Sequence, residues 1–217
     1  MFNIPQDSVA YLGLLKASFT VSISSWARQE MTRVLTLLVL TVGTLAGPLY
    51  TFADTPLLPP SRSTECSQNG KVCIEMKPDS GGRVYRKGTA GEHIDLWVMP
   101  NWNRAVFVSD DGRHLVKCYG GLNLVPLDYD PDMSLVEVWR QGTLIHRLSL
   151  RAVVGNLSVL LRTPSHYAWG SCLRFESATR FVVGLDGYDA NGDFIWRKVV
   201  LDIVSGQLRR TNELIRP

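Results

Sequence analysis

His166-Tyr167-Ala168-Trp169-Gly170 is the run whose residue types come closest to doing chemistry. An imidazole beside two aromatic rings, entered through Pro164 and left through Gly170, reads as a loop leading into a strand at Cys172–Phe175. Flat rings on a loop can contact sugar faces or peptide side chains. Trp102 and Asn103, on a second loop, are the residues best suited to join His166, Tyr167 and Trp169 in a ligand groove. The same residues have a structural use. Tyr167 and Trp169 then plug one end of a β core, and His166 bonds a backbone carbonyl.

Hydrolysis through a nucleophile would draw on Ser165 or Ser171, with His166 or His114 and an aspartate. No Gly-x-Ser-x-Gly elbow is present, and Ser165 and His166, as neighbours in an extended chain, would point to opposite faces. Asp128-x-Asp130-x-Asp132 opens like a calcium loop, but Pro131 intrudes, Met133 stands where glycine is required, and Trp139 replaces the closing glutamate. Asp186, Asp189, Asn191 and Asp193 offer a second oxygen-rich loop, and such loops are ordinarily turns. Phosphate-binding and dinucleotide-binding glycine loops are absent from the sequence, and no cofactor or metal is expected.

The elements that must position these residues read as strand, turn, strand. Lys71–Met76 and Arg83–Lys87 flank Pro78-Asp79-Ser80-Gly81-Gly82, and Ile94–Val98 follows. Ala105–Ser109 and His114–Cys118 surround Asp110-Asp111-Gly112-Arg113, which suits a type I′ hairpin turn. Leu135–Trp139 and Thr143–Leu148 form a second hairpin around Arg140-Gln141-Gly142. Arg180–Gly184 and Phe194–Trp196 form a third, and Ser205-Gly206 makes a further tight turn. Only Ser149–Leu157 offers a helical turn or two, ended by Gly155-Asn156. Short strands with glycine turns predict an all-β antiparallel meander, as a sandwich or barrel, with propeller-blade-like hairpins as the alternative.

Cys66, Cys73, Cys118 and Cys172 allow three pairings. The turn Gln68-Asn69-Gly70 favours Cys66–Cys73, which leaves Cys118–Cys172 as a long-range staple. The spacing of Cys66 and Cys73 is too loose for a zinc knuckle, and a free buried Cys118 or Cys172 is the plain alternative. Export explains disulfides. Met31-Thr32-Arg33 precedes the uncharged stretch Val34–Ala53, which ends Thr51-Phe52-Ala53. A basic flank, a short apolar run and a small-x-Ala site predict a signal peptide over 31–53, with residues 1–30 as a mis-assigned start or extension. An uncleaved membrane anchor over 34–53 is the alternative. Residues 54–70 read as a Pro-rich leader and 71–217 as one β domain.

Setting aside Lys16, Arg28 and Arg33 leaves 20 of 23 basic residues; setting aside Asp7 and Glu30 leaves 18 of 20 acidic ones, a net charge of +2. That near balance, with no basic stripe, argues against nucleic acid as a partner. Val108-Ser109-Asp110-Asp111-Gly112-Arg113-His114-Leu115-Val116, then His166-Tyr167-Ala168-Trp169-Gly170, then Leu201-Asp202-Ile203-Val204-Ser205-Gly206, resemble a group of exported bacterial β-rich proteins of unknown function. The resemblance spans about Lys71–Gln207 and implies a periplasmic or secreted setting but no activity. The expected function is a non-catalytic module that binds or scaffolds an envelope protein or glycan. A small secreted hydrolase and a purely structural envelope component are the alternatives.

Overall fold

The computed structural model describes residues 57–215. The segments read as signal peptide or anchor, and the residues ahead of them, lie outside the described residues.

Among the described residues, β-branched and aromatic runs broken by glycine turns form fifteen antiparallel strands. The first sheet is β1 (Ser63–Cys66), β2 (Val72–Lys77), β3 (Gly81–Lys87) and β4 (His93–Met99), in that spatial order. The second runs β5 (Val106–Val108), β6 (His114–Cys118), β8 (Ser134–Arg140) and β9 (Thr143–Ser149). The third runs β12 (Gly170–Ser177), β13 (Arg180–Tyr188), β14 (Phe194–Asp202) and β15 (Leu208–Ile215). A small sheet joins β10 (Leu161–Arg162), β11 (His166–Ala168) and β7 (Leu124–Pro126). The all-β antiparallel expectation holds. Each large sheet keeps its strands in chain order, as a blade does, and the three pack face to face, as in a sandwich.

Alternation along the strands shows the stacking. On β6, Val116 and Cys118 join one apolar cluster with Val136 and Val138 of β8 and Phe181, Val183, Val199 and Leu201 of the third sheet. Leu115, the residue before Val116, joins the other cluster with Val72, Ile74, Met76 and Val84 of the first sheet. Successive residues point to opposite faces, so the second sheet is the middle layer, buried on both sides. One short helix, α1 (Leu150–Val154), closes an end of the larger cluster with Leu150, Val153 and Val154. Ser149 caps its start by accepting from the Ala152 N–H, and Gly155 at φ +80° ends it as the sequence predicts.

Three expectations change in detail. Asp111-Gly112 is not a type I′ turn. Only Gly112 has positive φ (+71°), and the connection is wider, closed by Gly112 N–H to Ser109 O at 2.9 Å and Ser109 N–H to His114 O at 3.0 Å. The hairpin with positive φ at both central residues is Gln141 (+48°) and Gly142 (+83°), between the paired Arg140 and Thr143. The leader is shorter than expected. Ser63–Cys66 is already strand β1, and the segment before it is tied down, because Trp102 Nε1 donates to Ser61 O at 3.0 Å and Arg104 donates to Leu58 O. Finally, His166–Ala168 is strand β11 rather than loop, paired on both sides.

The cysteines pair as read from the turn. Cys66–Cys73 bridges directly opposed residues of β1 and β2. Cys118–Cys172 joins β6 to β12, and so the middle sheet to the third, with Cα atoms 6.5 Å apart. Two such bonds belong to a chain that folds in an oxidising, extracytoplasmic setting. Among the described residues no helix is long and apolar enough to cross a membrane.

Removing the 54-residue bridge with Cys118→Ser/Cys172→Ser should lower unfolding free energy in urea by about 4 kcal/mol on loop entropy. The same change at Cys66 and Cys73 should cost about 2.5 kcal/mol, since its loop is much shorter. Equal losses would contradict this ordering.

Acid should also weaken the fold. Glu137 lies in the middle sheet with Lys117 at 3.1 Å and Arg147 at 3.3 Å, and these cations with Trp139 Nε1 hold its carboxyl below the ordinary 4.5 despite the opposing cost of burial. Arg62, aided by Lys77, does the same for Glu75, and Lys198 does so for Glu176. Burial holds His114 below its ordinary 6.5. At all four sites the folded chain binds protons less readily than the unfolded one. Stability is therefore full at neutral pH, begins to fall below about pH 6.5 and falls more steeply below about pH 4.5. Urea midpoints measured down the pH scale check this, and Glu137→Gln should flatten the acid limb.

Candidate functional site

Trp169 has a structural role. It is 2% exposed, packs in the larger cluster, and donates its Nε1–H to Leu122 O at 2.7 Å. Its backbone N–H donates to Asn123 O at 3.0 Å. Tyr167 packs against the same cluster and meets Tyr129 edge to face, with centroids 5.6 Å apart. Trp169 follows β11 directly and has the parity of Tyr167, so both rings turn to the core side. Trp169 is thus the plug of the structural reading, not a ligand platform. His166 remains half-buried. Its Nδ1 lies 2.9 Å from Ser165 Oγ, a contact made possible because 163–166 is a turn closed by Thr163 N–H to His166 O. That geometry corrects the expectation of opposite faces.

The second expected loop serves the fold as well. Trp102 packs on the smaller cluster, stacks under Arg104 at 5.6 Å and holds the leader through Ser61. Asn103 is buried and accepts from the Ala105 N–H at 2.7 Å. Tyr167 lies with the larger cluster and Trp102 with the smaller.

Of the hydrolase candidates, Ser165 and His166 meet as described, and Ser171 does not join them. Asp111 and His114 do come together with Ser109, yet Ser109 is fully buried. Its Oγ donates to Asp111 Oδ1 at 2.6 Å and accepts from the His114 backbone N–H at 3.0 Å. The hydroxyl is spent on the hairpin connection and cannot reach a substrate. Ser171 Oγ donates to Cys172 O at 3.2 Å. In the two aspartate loops the carboxylates brace backbone. Asp130 Oδ1 accepts from Asp132 N–H, and Asp189 Oδ1 accepts from both Asn191 and Asp193 N–H. Among the described residues no group of three or more His, Cys, Asp or Glu is placed to hold a metal ion.

What the structure adds is a groove of about 250 Å³ where one edge strand of each large sheet converges. Its walls are Glu65–Gln68 at the end of β1, Val106–Val108 of β5, and Leu173–Phe175 of β12. β1, β5 and β12 each pair on one side only. Leu173 is the extra residue of a bulge, since Cys172 opposes Val183 and Arg174 opposes Val182. Such a bulge re-aims a side chain at a sheet edge. Glu65 and Arg174 supply one charge of each sign, and Val106, Phe107, Val108 and Phe175 supply apolar floor. Both disulfides border the groove. Cys66 lines it, and Cys172 precedes Leu173.

Sequence reasoning missed this place because its walls are some forty and seventy residues apart in the chain. The signal that was present lay in the cysteines, which staple two of the three walls. Comparison with protein-family models finds no match, and comparison with curated proteins finds none either.

Trp169→Ala should cost about 3–5 kcal/mol in denaturant unfolding, the loss expected for emptying a buried aromatic site. Tyr188→Ala, at a residue 54% exposed, should change stability by less than about 0.5 kcal/mol. A near-neutral Trp169→Ala would restore Trp169 as a surface platform.

Proposed function

We propose that this chain is an exported, non-catalytic binding module of the bacterial envelope, acting in the periplasm or outside the cell, and that its ligand is an extended peptide segment of another envelope protein. The observation that carries the reading is the meeting of three edge strands in one groove. An edge strand presents a row of backbone N–H and C=O groups with no partner on that side, and an extended peptide satisfies them by adding a strand. The bulged Leu173 and the valines of β5 then offer pockets for alternate side chains, while Glu65 and Arg174 select the ligand's charge. The hydrolase reading rests on the Ser165–His166 contact alone, since the hydroxyls of Ser109 and Ser171 are bonded within the hairpin connection and to backbone. The envelope setting is supported by the disulfides and by the leader sequence.

The test is selection of a displayed random-peptide library on the oxidised protein. Enriched peptides should alternate apolar and polar residues and carry charge opposite to Glu65 or Arg174. Arg174→Glu should lose those peptides and enrich a set with the matching charge inverted. Enrichment of no alternating sequence, or the same peptides on Arg174→Glu, would defeat the proposal.

A further inference from the structure

The outer face of the third sheet holds a cluster of residues that the fold does not use. Leu185 faces the larger apolar cluster, so Asp186 and Tyr188 face outward by alternation. On the next strand Trp196 lies directly opposite Asp186, and Phe194 directly opposite Tyr188. These four side chains therefore stand together on one face, at the turn end of the hairpin. Two of the rings are unusually exposed for their type, Tyr188 at 54% and Phe194 at 40%.

The rings do not form a flat shelf. Phe194 meets Tyr188 at 77° with centroids 6.0 Å apart, and meets Trp196 at 77° with centroids 6.4 Å apart. Rings set nearly at right angles turn their faces in different directions, which suits a cation–π site, with the charge within roughly 6 Å of several ring centroids. The carboxylate completes the set. Asp186 Oδ1 accepts from Trp196 Nε1 at 3.0 Å, and among the described residues Oδ2 has no hydrogen-bond partner. No ion pair among the described residues includes Asp186. Burial, opposed by the single Trp196 bond, pushes its carboxyl above the usual range, so this anion lacks compensation. Gly184 lets the indole lie close to the sheet, because a Cβ there would come within 2.8 Å of Trp196 Cβ and Cγ.

We propose that Asp186, Tyr188, Phe194 and Trp196 form a binding site for a small organic ammonium cation of the choline type, separate from the edge-strand groove. The rings surround the methylated ammonium, and the Asp186 carboxylate balances its charge. The Trp196 N–H, donated to Oδ1, orients the carboxylate and the indole with respect to each other. Charge complementarity distinguishes this occupant from a neutral sugar or an apolar side chain. Those would use the ring faces but would leave the carboxylate uncompensated.

The test is a titration of the oxidised protein, followed by the indole N–H resonance of Trp196, assigned with Trp196→Phe. The probes are choline chloride and its uncharged isostere 3,3-dimethylbutan-1-ol. Choline should shift the resonance saturably, and the isostere should bind at least about threefold more weakly. Asp186→Asn, which keeps the shape and removes the charge, and Tyr188→Ala, which removes one exposed wall, should each weaken choline binding by about threefold or more. An unchanged thermal midpoint would show that the variants remain folded. Equal binding of the isostere would reduce the cluster to an apolar patch and overturn the proposal, as would unaltered affinity in Asp186→Asn or no saturable shift with choline. The outcome does not depend on the peptide reading, since the groove variant Arg174→Glu should bind choline as the unaltered protein does.

Discussion

The Cys118–Cys172 bond is the constraint on which the rest of the molecule depends. It is the covalent link between the middle sheet and the third, and it sits where the two layers must agree in register. Apolar contact between sheets is strong but non-directional. Phe181 against Phe107 and Phe175, or Val183 and Leu185 against the valines of β8, would tolerate some sliding. A bridge with Cα atoms 6.5 Å apart does not. Because Cys172 immediately precedes the bulged Leu173, fixing the layers also fixes the wall of the groove. The Cys66–Cys73 bridge does the corresponding work for β1, an edge strand of four residues. The groove thus owes its shape to oxidation, and so to the compartment in which the chain folds.

A sheet buried on both faces imposes a second condition, on charge. β6 and β8 carry apolar residues at successive positions, yet each also carries a charged residue facing the first sheet, Lys117 and Glu137. They are directly opposed across the strands, so each compensates the other, and Trp139 Nε1 and Arg147 add to Glu137. A buried ion without such partners would cost several kcal/mol. Glu75 follows the same rule with Arg62, Lys77 and Arg83. Asp186 departs from it, which is why that carboxylate stands out as a site and the others stand as structure.

The hairpins were legible because their signals are local. Strand propensity and glycine turns located β2, β3, β5, β6, β8 and β9 closely, and β13 and β14 at their starts but not at their ends, Tyr188 and Asp202. The type I′ geometry was assigned to Asp111-Gly112 and belongs to Gln141-Gly142. The difference lies in loop length, since a five-residue connection leaves room for Ser109 and Asp111 to brace the turn. β10 and β11 were not legible, because strands of two and three residues exist only through their partners. The disulfide pairing was readable from the turn at Gln68-Asn69-Gly70. The groove was not, since no window of sequence contains its three walls.

Parity decides which aromatic residues are free to bind. The run around His166 draws the eye because aromatics are dense there, but Trp169 lies on the core side and its ring is consumed by packing. Tyr188-x5-Phe194-x-Trp196 is less conspicuous, and its rings are interrupted by a turn of aspartates, asparagine and glycine. Folding that hairpin with Tyr188 opposite Phe194 brings all three rings to one face, and Leu185 and Ile195, buried on the other, commit that face to solvent. The pattern was present as alternation across the turn: buried Leu185 and Ile195 beside polar or aromatic neighbours. A one-residue slip in β13 would exchange the two sets, burying Asp186 without a cation and exposing Leu185. The energetic cost of that exchange is what holds the outward cluster in place, so the register that builds the core is also the register that presents the three rings and Asp186 on the outer face.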